Sequence, residues 1–403
     1  MSEIYVQNKI VVDHSKIEKV KAQISSVNAA GDPSGDPSKP IFFWFQDTPV
    51  GKELFLALYT KKCEWARCSF CTLPSVSSPN NVAADNIIKQ AEFAFHAHTK
   101  EQLARVKRFF ISNNGSILNP VTMPPQALER ICEIAYSLCS SLELISFETR
   151  FETVKKSNLL HYISKFQKWH EHYLKRGVRS SESPVKLQIS AGYETQDPYL
   201  RNSVLCKGYS ERLVQEFFKM CAEIHSETGC RILYDENVLL KPAPGMTNEE
   251  AIAECVQTVI HLHELGDHFN VPVSIRINPT FVAAGSYLHE KFIENKYSPP
   301  TLRDVMSVLG LCHKKNINIP IFIGLNEEDL ETSGGSFNRG ALLDSFYYRV
   351  LKNFNLTQDY PLIERTIAML DDPLTQLTAK QLMSVNFWSQ EKLEQRPFCL
   401  DYG

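Results

Sequence analysis

The sequence predicts an α/β protein built as a full or partial parallel (β/α) barrel, with extensions at both ends. Three observations carry this expectation. Short apolar runs alternate with long helical segments six or seven times between residues 41 and 325. Strands that alternate with helices in this way imply βαβ units and a parallel sheet. Polar or glycine-bearing residues gather at the ends of several apolar runs, and barrels of this kind carry their chemistry at the C-terminal ends of their strands. The chain is also 43 % hydrophobic and 22 % charged, which excludes wholesale disorder.

The elements follow in order. Residues 1–40 are read as an N-terminal helix, HSKIEKVKAQISSV, and a flexible linker, AAGDPSGDPSKP at 29–40, rich in turn-forming residues. PIFFWFQ comes next, and then ELFLALYT, an aromatic-rich apolar run that reads as the first barrel strand. Residues 83–104 read as one helix and VKRFFIS as a strand. PPQALERICEIAYSLCSS reads as a helix opened by proline, a favoured first-turn residue. LELISFE is a strand, 153–175 an amphipathic helix, and KLQISAGYET a strand. SERLVQEFFKMCAEIHSETG is a helix capped by Ser210 and ended by Gly229. CRILYDENVLLKP contains a strand. TNEEAIAECVQTVIHLHELG opens on a capping box and is expected to end at Gly266. VPVSIRINPT is a strand, TLRDVMSVLGLCHKKN a helix and INIPIFIGL a strand. Residues 41–325 are thus the expected barrel, and the less regular 326–403 a region that caps or closes it.

Charge and hydropathy narrow the function. Forty-three Lys and Arg against 46 Asp and Glu leave a net charge of −3, so the chain as a whole is no basic nucleic-acid binder. No apolar stretch of about 18 residues exists, so no membrane span is expected. The N-terminus lacks the apolar core of a secretory signal. Eleven cysteines, an odd number in a long chain without such a signal, argue for reduced thiols and a cytoplasmic location. No Walker loop, GxSxG or HExxH appears. His96 and His98, His170 and His172, and His261 and His263 each lie two apart, a spacing that on a helix does not share a face.

Eight cysteines are scattered, and Cys132, Cys139, Cys221 and Cys255 fall in helical segments, where free cysteine acts as a small core hydrophobe. The other three, Cys63, Cys68 and Cys71, lie within nine residues, CEWARCSFC, directly after the first strand. Zinc would call for a second cysteine pair or a nearby histidine, and neither is present. The C-x4-C-x2-C spacing is that of a plant-type [2Fe–2S] site, which needs a fourth cysteine further on; the next here is Cys132. Three thiolates without a fourth partner suit a [4Fe–4S] cluster with one open iron.

A three-cysteine loop after the first strand of a parallel barrel, with Phe70 ahead of the last cysteine, resembles the radical S-adenosylmethionine superfamily. Four residues separate the first two cysteines, where most members have three. Other strand ends carry the resemblance further. NNGS (Asn113, Asn114, Gly115, Ser116) resembles the motif that holds the methionine amino group. FETRFE resembles an element of the Elongator-catalytic-subunit-like branch. GYET…LRNSVLCKGY, VLLKPAPGMTNEEAI, INPTFVAAGSYLHEKF and YSPPTLRDV resemble the radical subunit of archaeosine synthase.

The resemblance implies that the three thiolates hold three irons and that S-adenosylmethionine chelates the fourth, its S–C5′ bond being cleaved reductively to a 5′-deoxyadenosyl radical. It implies cofactor contacts at Asn113, Asn114, Gly115, Ser116, Glu148, Arg150, Glu194 and Asn278. Glu148 would bind ribose hydroxyls, and Arg150 would grip a carboxylate in a bidentate way. Lys207 and Lys241 would meet an anionic substrate group, so that Glu148, Arg150, Lys207 and Lys241 form the expected catalytic set. Trp65 and Arg67 would shield the cluster.

The implied reaction is that of a lyase on a 7-deazaguanine-type substrate, with an electron donor such as flavodoxin or ferredoxin and, in the archaeosine branch, a protein partner. Two substrates stay open. One is a modified tRNA, met through local positive charge in KKCEWARC and LARVKR near the mouth of the barrel, since phosphate contacts dominate nucleic-acid affinity. The other is a free nucleoside or nucleotide, as in queuine salvage. The competing reading is an electron-transfer or structural metal protein that cleaves no cofactor.

Overall fold

A computed structural model describes residues 31–179, 183–229, 231–283, 286–325 and 344–371. The expected N-terminal helix, Cys230, Cys399 and much of the C-terminal region lie outside these residues.

Eight strands form one sheet in chain order: β1 (Phe42–Thr48), β2 (Gly51–Ala57), β3 (Arg108–Ser112), β4 (Leu144–Thr149), β5 (Lys186–Glu194), β6 (Ile232–Leu240), β7 (Val273–Pro279) and β8 (Ile321–Ile323). β1 and β2 make an antiparallel hairpin, and every later neighbour is parallel. Helices fill the crossovers: α1 (Ala84–His96), α2 (Lys100–Ala104), α3 (Pro125–Leu138), α4 (Lys156–Lys175), α5 (Glu211–Thr228), α6 (Asn248–Phe269), α7 (Tyr287–Ile293) and α8 (Leu302–Lys314). Two more follow, α9 (Asp344–Thr357) and α10 (Tyr360–Asp371). The expected partial parallel (β/α) barrel is therefore the fold, with an antiparallel strand added at its first edge.

The sheet must curl, because side chains from distant strands meet inside it. Arg108 on β3 reaches Asp235 on β6 at 2.8 Å and Glu53 on β2 at 3.1 Å. Gln188 on β5 donates to Ser274 on β7 at 3.3 Å. Along each strand, alternate residues face opposite sides. Leu54 and Leu56, Phe109 and Ile111, and Ile275 and Ile277 join the large apolar cluster that includes the helices. Glu53, Arg108, Ser146, Gln188 and Asp235 turn inward and form a polar plug.

Among the described residues the barrel does not close strand to strand. α9 packs against both β1 and β8, and two of its side chains stand in for the missing neighbour of β8. Asn355 accepts from Ile323 N at 2.7 Å and donates to Ile323 O at 2.8 Å. Gln358, just past the helix, does the same at Ile321, both at 2.9 Å. An exposed strand edge is thus satisfied without a strand.

Most predicted ends hold. Ser210 accepts from Leu213 N, and Gly229 ends α5 in the left-handed conformation. Thr247 and Glu250 form the capping box of α6. Two boundaries are corrected. Residues 83–104 form two helices, because Thr99 and Gln102 build a capping box that starts α2 afresh. α6 runs past Gly266 and ends at left-handed Asn270. Gly266 serves a close approach, since a Cβ there would lie 2.8 Å from the Val273 side chain.

Candidate active site

The loops after the strands surround one cavity of about 250 Å³ at the C-terminal end of the barrel. Cys63, Cys68 and Cys71 all line it, each half-buried. Their loop is tied down from three sides. Trp65 Nε1 donates to Cys206 O at 2.8 Å, Ser69 Oγ donates to Val204 O at 2.6 Å, and Tyr287 N donates to Ser69 O at 3.0 Å. The Trp65 ring lies over Gly208, where any side chain would collide with it. Gly115 likewise permits the β3 loop to reach the cysteine loop: a Cβ there would stand 3.2 Å from Cys63 Cα.

The site's cations lie beside the thiols. Arg150 Nη1 is 3.9 Å from Cys68 Sγ, Nη2 donates to Lys207 O at 2.6 Å, and Nε pairs with Glu152. The guanidinium also lies 5.1 Å from the Trp65 ring, a cation–π contact. Lys207 Nζ pairs with Glu194 Oε1 at 2.8 Å, and both side chains are nearly fully buried. Gly192 makes room for that pair, because a Cβ would run into both. Glu194 itself sits at a bulge in β5 with φ at 69°, a left-handed conformation costly for a non-glycine residue.

Burial pushes the Cys68 thiol up, and the charges of Lys207 and Arg150 oppose that rise. Burial also holds the Cys71 thiol well up, with the neighbouring Cys68 adding to the effect. The Glu148 carboxyl is raised by burial, while a hydrogen bond from Ser112 and the charges of Arg276 and Lys207 pull it back. Burial draws the Lys207 ammonium down, but Glu194 and the Cys68 thiolate outweigh it and leave it raised.

Of the residues singled out in the sequence, Asn114, Gly115, Glu148, Arg150, Glu194, Lys207 and Asn278 line the cavity with the three cysteines. Three do not. Lys241 turns away and donates to Asn248 Oδ1 at 2.7 Å and Ser298 Oγ at 3.2 Å. Asn113 is buried beneath the loop, against Ser116 O and Thr122 Oγ1. Ser116 bonds Thr149 and Thr153, and borders a smaller recess shared with Cys63 and Trp65. Arg150 is not left with an open fork for a ligand carboxylate, because its N–H groups are engaged as described. In LARVKR, Arg108 is only 2 % exposed, and the segment leads into the N-terminal end of β3, opposite the cavity mouth.

The sequence reading missed Arg276, Asn237 and Thr280, which also line the cavity. The inward alternation of β6 and β7 was the available signal. The thiols of Cys132, Cys139, Cys206, Cys221, Cys255 and Cys312 are buried, and burial pushes those of Cys139 and Cys312 up to about 12.

Over 340 residues the chain is 26 % identical to an uncharacterised protein of Methanocaldococcus jannaschii, a match covering 80 % of this chain and 83 % of that relative. No protein-family profile matches. Among solved structures it is similar to Methanocaldococcus infernus Elp3 with residues 1–46 deleted, at 12 % identity and a TM-score of 0.42 over 66 % of this chain and 59 % of that one. It is similar to Streptococcus suis SuiB bound to S-adenosylmethionine, at 13 % identity and a TM-score of 0.39 over 72 % of this chain and 54 % of that one. A third is the radical S-adenosylmethionine methyltransferase TsrM of Kitasatospora setae, at 13 % identity and a TM-score of 0.31 over 56 % of this chain and 36 % of that one. The chain thus spans less than two thirds of the length of these solved proteins.

Proposed function

We propose that the chain is a radical S-adenosylmethionine enzyme whose barrel, residues 41–325, carries the reaction, with 1–40 and 326–403 as extensions. One observation carries the reading: Cys63, Cys68 and Cys71 open on the same cavity as charged and polar residues from the ends of β3, β4, β5 and β7. The donor chemistry fits a [4Fe–4S] cluster, because three half-buried thiols on one loop stand next to the charges of Arg150 and Lys207, which favour thiolate. Among the described residues no three Cys, His, Asp or Glu side chains are already gathered about one point, so cluster assembly would draw the three sulfurs together. When bound, the cluster and S-adenosylmethionine supply a reductively generated carbon radical for hydrogen abstraction.

The protein's own contribution is seating and exclusion of water. Arg150 lies against the Trp65 ring of the cysteine loop and beside Cys68. Asn114 and Gly115 bring backbone close to Cys63. The Lys207–Glu194 pair fixes a balanced charge next to the thiols, and Glu148 offers acceptors to hydroxyl or N–H groups.

We assign the reaction, from the sequence resemblance, to a lyase acting on a 7-deazaguanine-type nucleoside, free or within tRNA, in the cytoplasm with a flavodoxin- or ferredoxin-like donor. Anaerobic reconstitution with iron and sulfide, followed by dithionite and S-adenosylmethionine, tests it. We expect 5′-deoxyadenosine; none, where a control enzyme succeeds, overturns the reading. A salt titration of tRNA binding separates the substrates, because phosphate-driven binding weakens steeply with salt.

A further inference from the structure

The carboxylate that pairs with Lys207 sits on a turn that suits glycine better than glutamate. Glu194 has φ at 69°, and Thr195 N donates across it to Tyr193 O at 2.9 Å. A bond of this span about a residue of positive φ is the rare, strained form of the γ-turn. Such a conformation persists only where its surroundings over-determine it. A glycine at 194 would make the same turn without strain, so the strain is incurred for the carboxylate.

The surroundings are buried side chains from the connection between β5 and α5. Tyr209, 5 % exposed, donates its hydroxyl hydrogen to the two carbonyls just before Glu194, Gly192 O and, at 2.9 Å, Tyr193 O. Arg201 is wholly buried and donates to the carbonyl just after it, Thr195 O, at 3.2 Å. Its guanidinium lies over the rings of Tyr193 and Tyr209, at 4.7 Å and 5.4 Å, and pairs with Glu211 at 2.9 Å. Both peptide groups that flank Glu194 are thus held by these two side chains. Glu194 and Lys207 line the cavity, whereas Tyr209 and Arg201 stand behind its wall. The held turn sets Glu194 Oε1 2.8 Å from Lys207 Nζ. That ammonium in turn lies 5.8 Å from the ring of Phe70, inside the cysteine loop, and 6.0 Å from the ring of Tyr209.

Resting on the enzyme reading above, we infer that Tyr209 and Arg201 are positioning residues: they hold the strained turn so that the Glu194 carboxylate fixes the Lys207 ammonium at the cysteine loop. Their influence on the site runs through Lys207.

Hydrogen exchange of the full chain without cluster tests the clamp. Tyr209→Phe keeps the ring and every charge, and should speed exchange of the Thr195 amide about tenfold, because a buried hydrogen bond is lost. In a Glu194→Gly background, where the turn needs no clamp, the same change should alter that exchange by about twofold or less. A tyrosine that merely packs would speed it equally in both backgrounds. Redox titration of the reconstituted protein tests the route through Lys207. Positive charge near ligating sulfurs favours the reduced cluster, so Tyr209→Phe should lower the reduced-to-oxidised ratio at a fixed potential about threefold. In a Lys207→Met background Tyr209→Phe should add no further shift. Unchanged exchange in Tyr209→Phe, equal acceleration in both backgrounds, or a redox shift that persists with Lys207→Met overturns the inference. Glu194→Gly and Lys207→Met each strand a buried charge, so thermal melting checks that they fold; Tyr209→Phe alone keeps the inference falsifiable if they do not. A chain that shows the exchange pattern but cleaves no S-adenosylmethionine sinks the enzyme reading alone. One that cleaves it without the exchange pattern sinks the clamp alone.

Discussion

Arg150 Nη1 lies 3.9 Å from Cys68 Sγ, and the rest of its guanidinium is locked by Lys207 O and Glu152. The sequence suggested a carboxylate grip for this arginine; in the structure it is a fixed donor to a sulfur. Hydrogen bonds and positive charge at ligating sulfurs favour the more negative, reduced cluster. Arg150→Gln should therefore lower the midpoint potential of the reconstituted protein. Spectroscopic redox titration reads this, and a tenfold loss in the reduced-to-oxidised ratio corresponds to about 59 mV for one electron. An unchanged midpoint would remove the electrostatic role and leave only the ties to Lys207 O, Glu152 and Trp65.

The cysteines divide by environment, and iron content should divide with them. Cys63→Ala, Cys68→Ala and Cys71→Ala should each lose most bound iron and all formation of 5′-deoxyadenosine. Cys132→Ala should keep both, because Cys132 is wholly buried in the apolar cluster. Its cost should be a modest loss of stability from a small cavity, about 1 kcal/mol. Iron analysis and visible absorption after reconstitution measure the contrast. Full iron in any of the three loop variants would dismiss that cysteine as a ligand.

Local signals made much of this legible. Ser210, Gly229 and the Thr247 capping box marked helix ends because caps are satisfied within a few residues of sequence. The cysteine loop was visible because its three thiols are close in the chain. The full cavity lining was not, since Glu148 and Arg276 are 128 positions apart and come to one cavity only through the curl of the sheet. The same holds for Asn355 and Gln358, whose amides complete β8 from a helix. Lys241 misled because a lysine after a strand looks alike whether it faces the cavity or, as here, Asn248.

Glu254, buried on α6, gives a pH prediction. Burial raises its carboxyl to about 7, against opposing hydrogen bonds from Thr195 and Thr258. A folded-state value above the unfolded one means that the folded protein holds the extra proton. Stability from this group is therefore complete below about pH 4.5 and declines as pH rises toward 7. The loss should total roughly 3 kcal/mol. Glu254→Gln, which cannot ionise, should flatten the fall in melting temperature across that interval. A variant whose pH profile parallels the wild type would show that another group governs it.

Arg108 makes the strongest stability prediction. It is 2 % exposed and joins Glu53 and Asp235 inside the barrel, and it donates to Ser146 Oγ at 2.8 Å. Arg108→Met keeps most of the volume and removes the charge, which leaves two buried carboxylates facing Arg276 alone. Breaking a buried ion group by deleting one partner costs about 3–5 kcal/mol, well above an exposed pair at about 0–1 kcal/mol. Adding Asp235→Asn to Arg108→Met should recover part of that loss by restoring the charge balance. Urea unfolding of the two variants measures both steps. A single variant within about 1 kcal/mol of the wild type would place it in the range of an exposed pair and show that water reaches the plug.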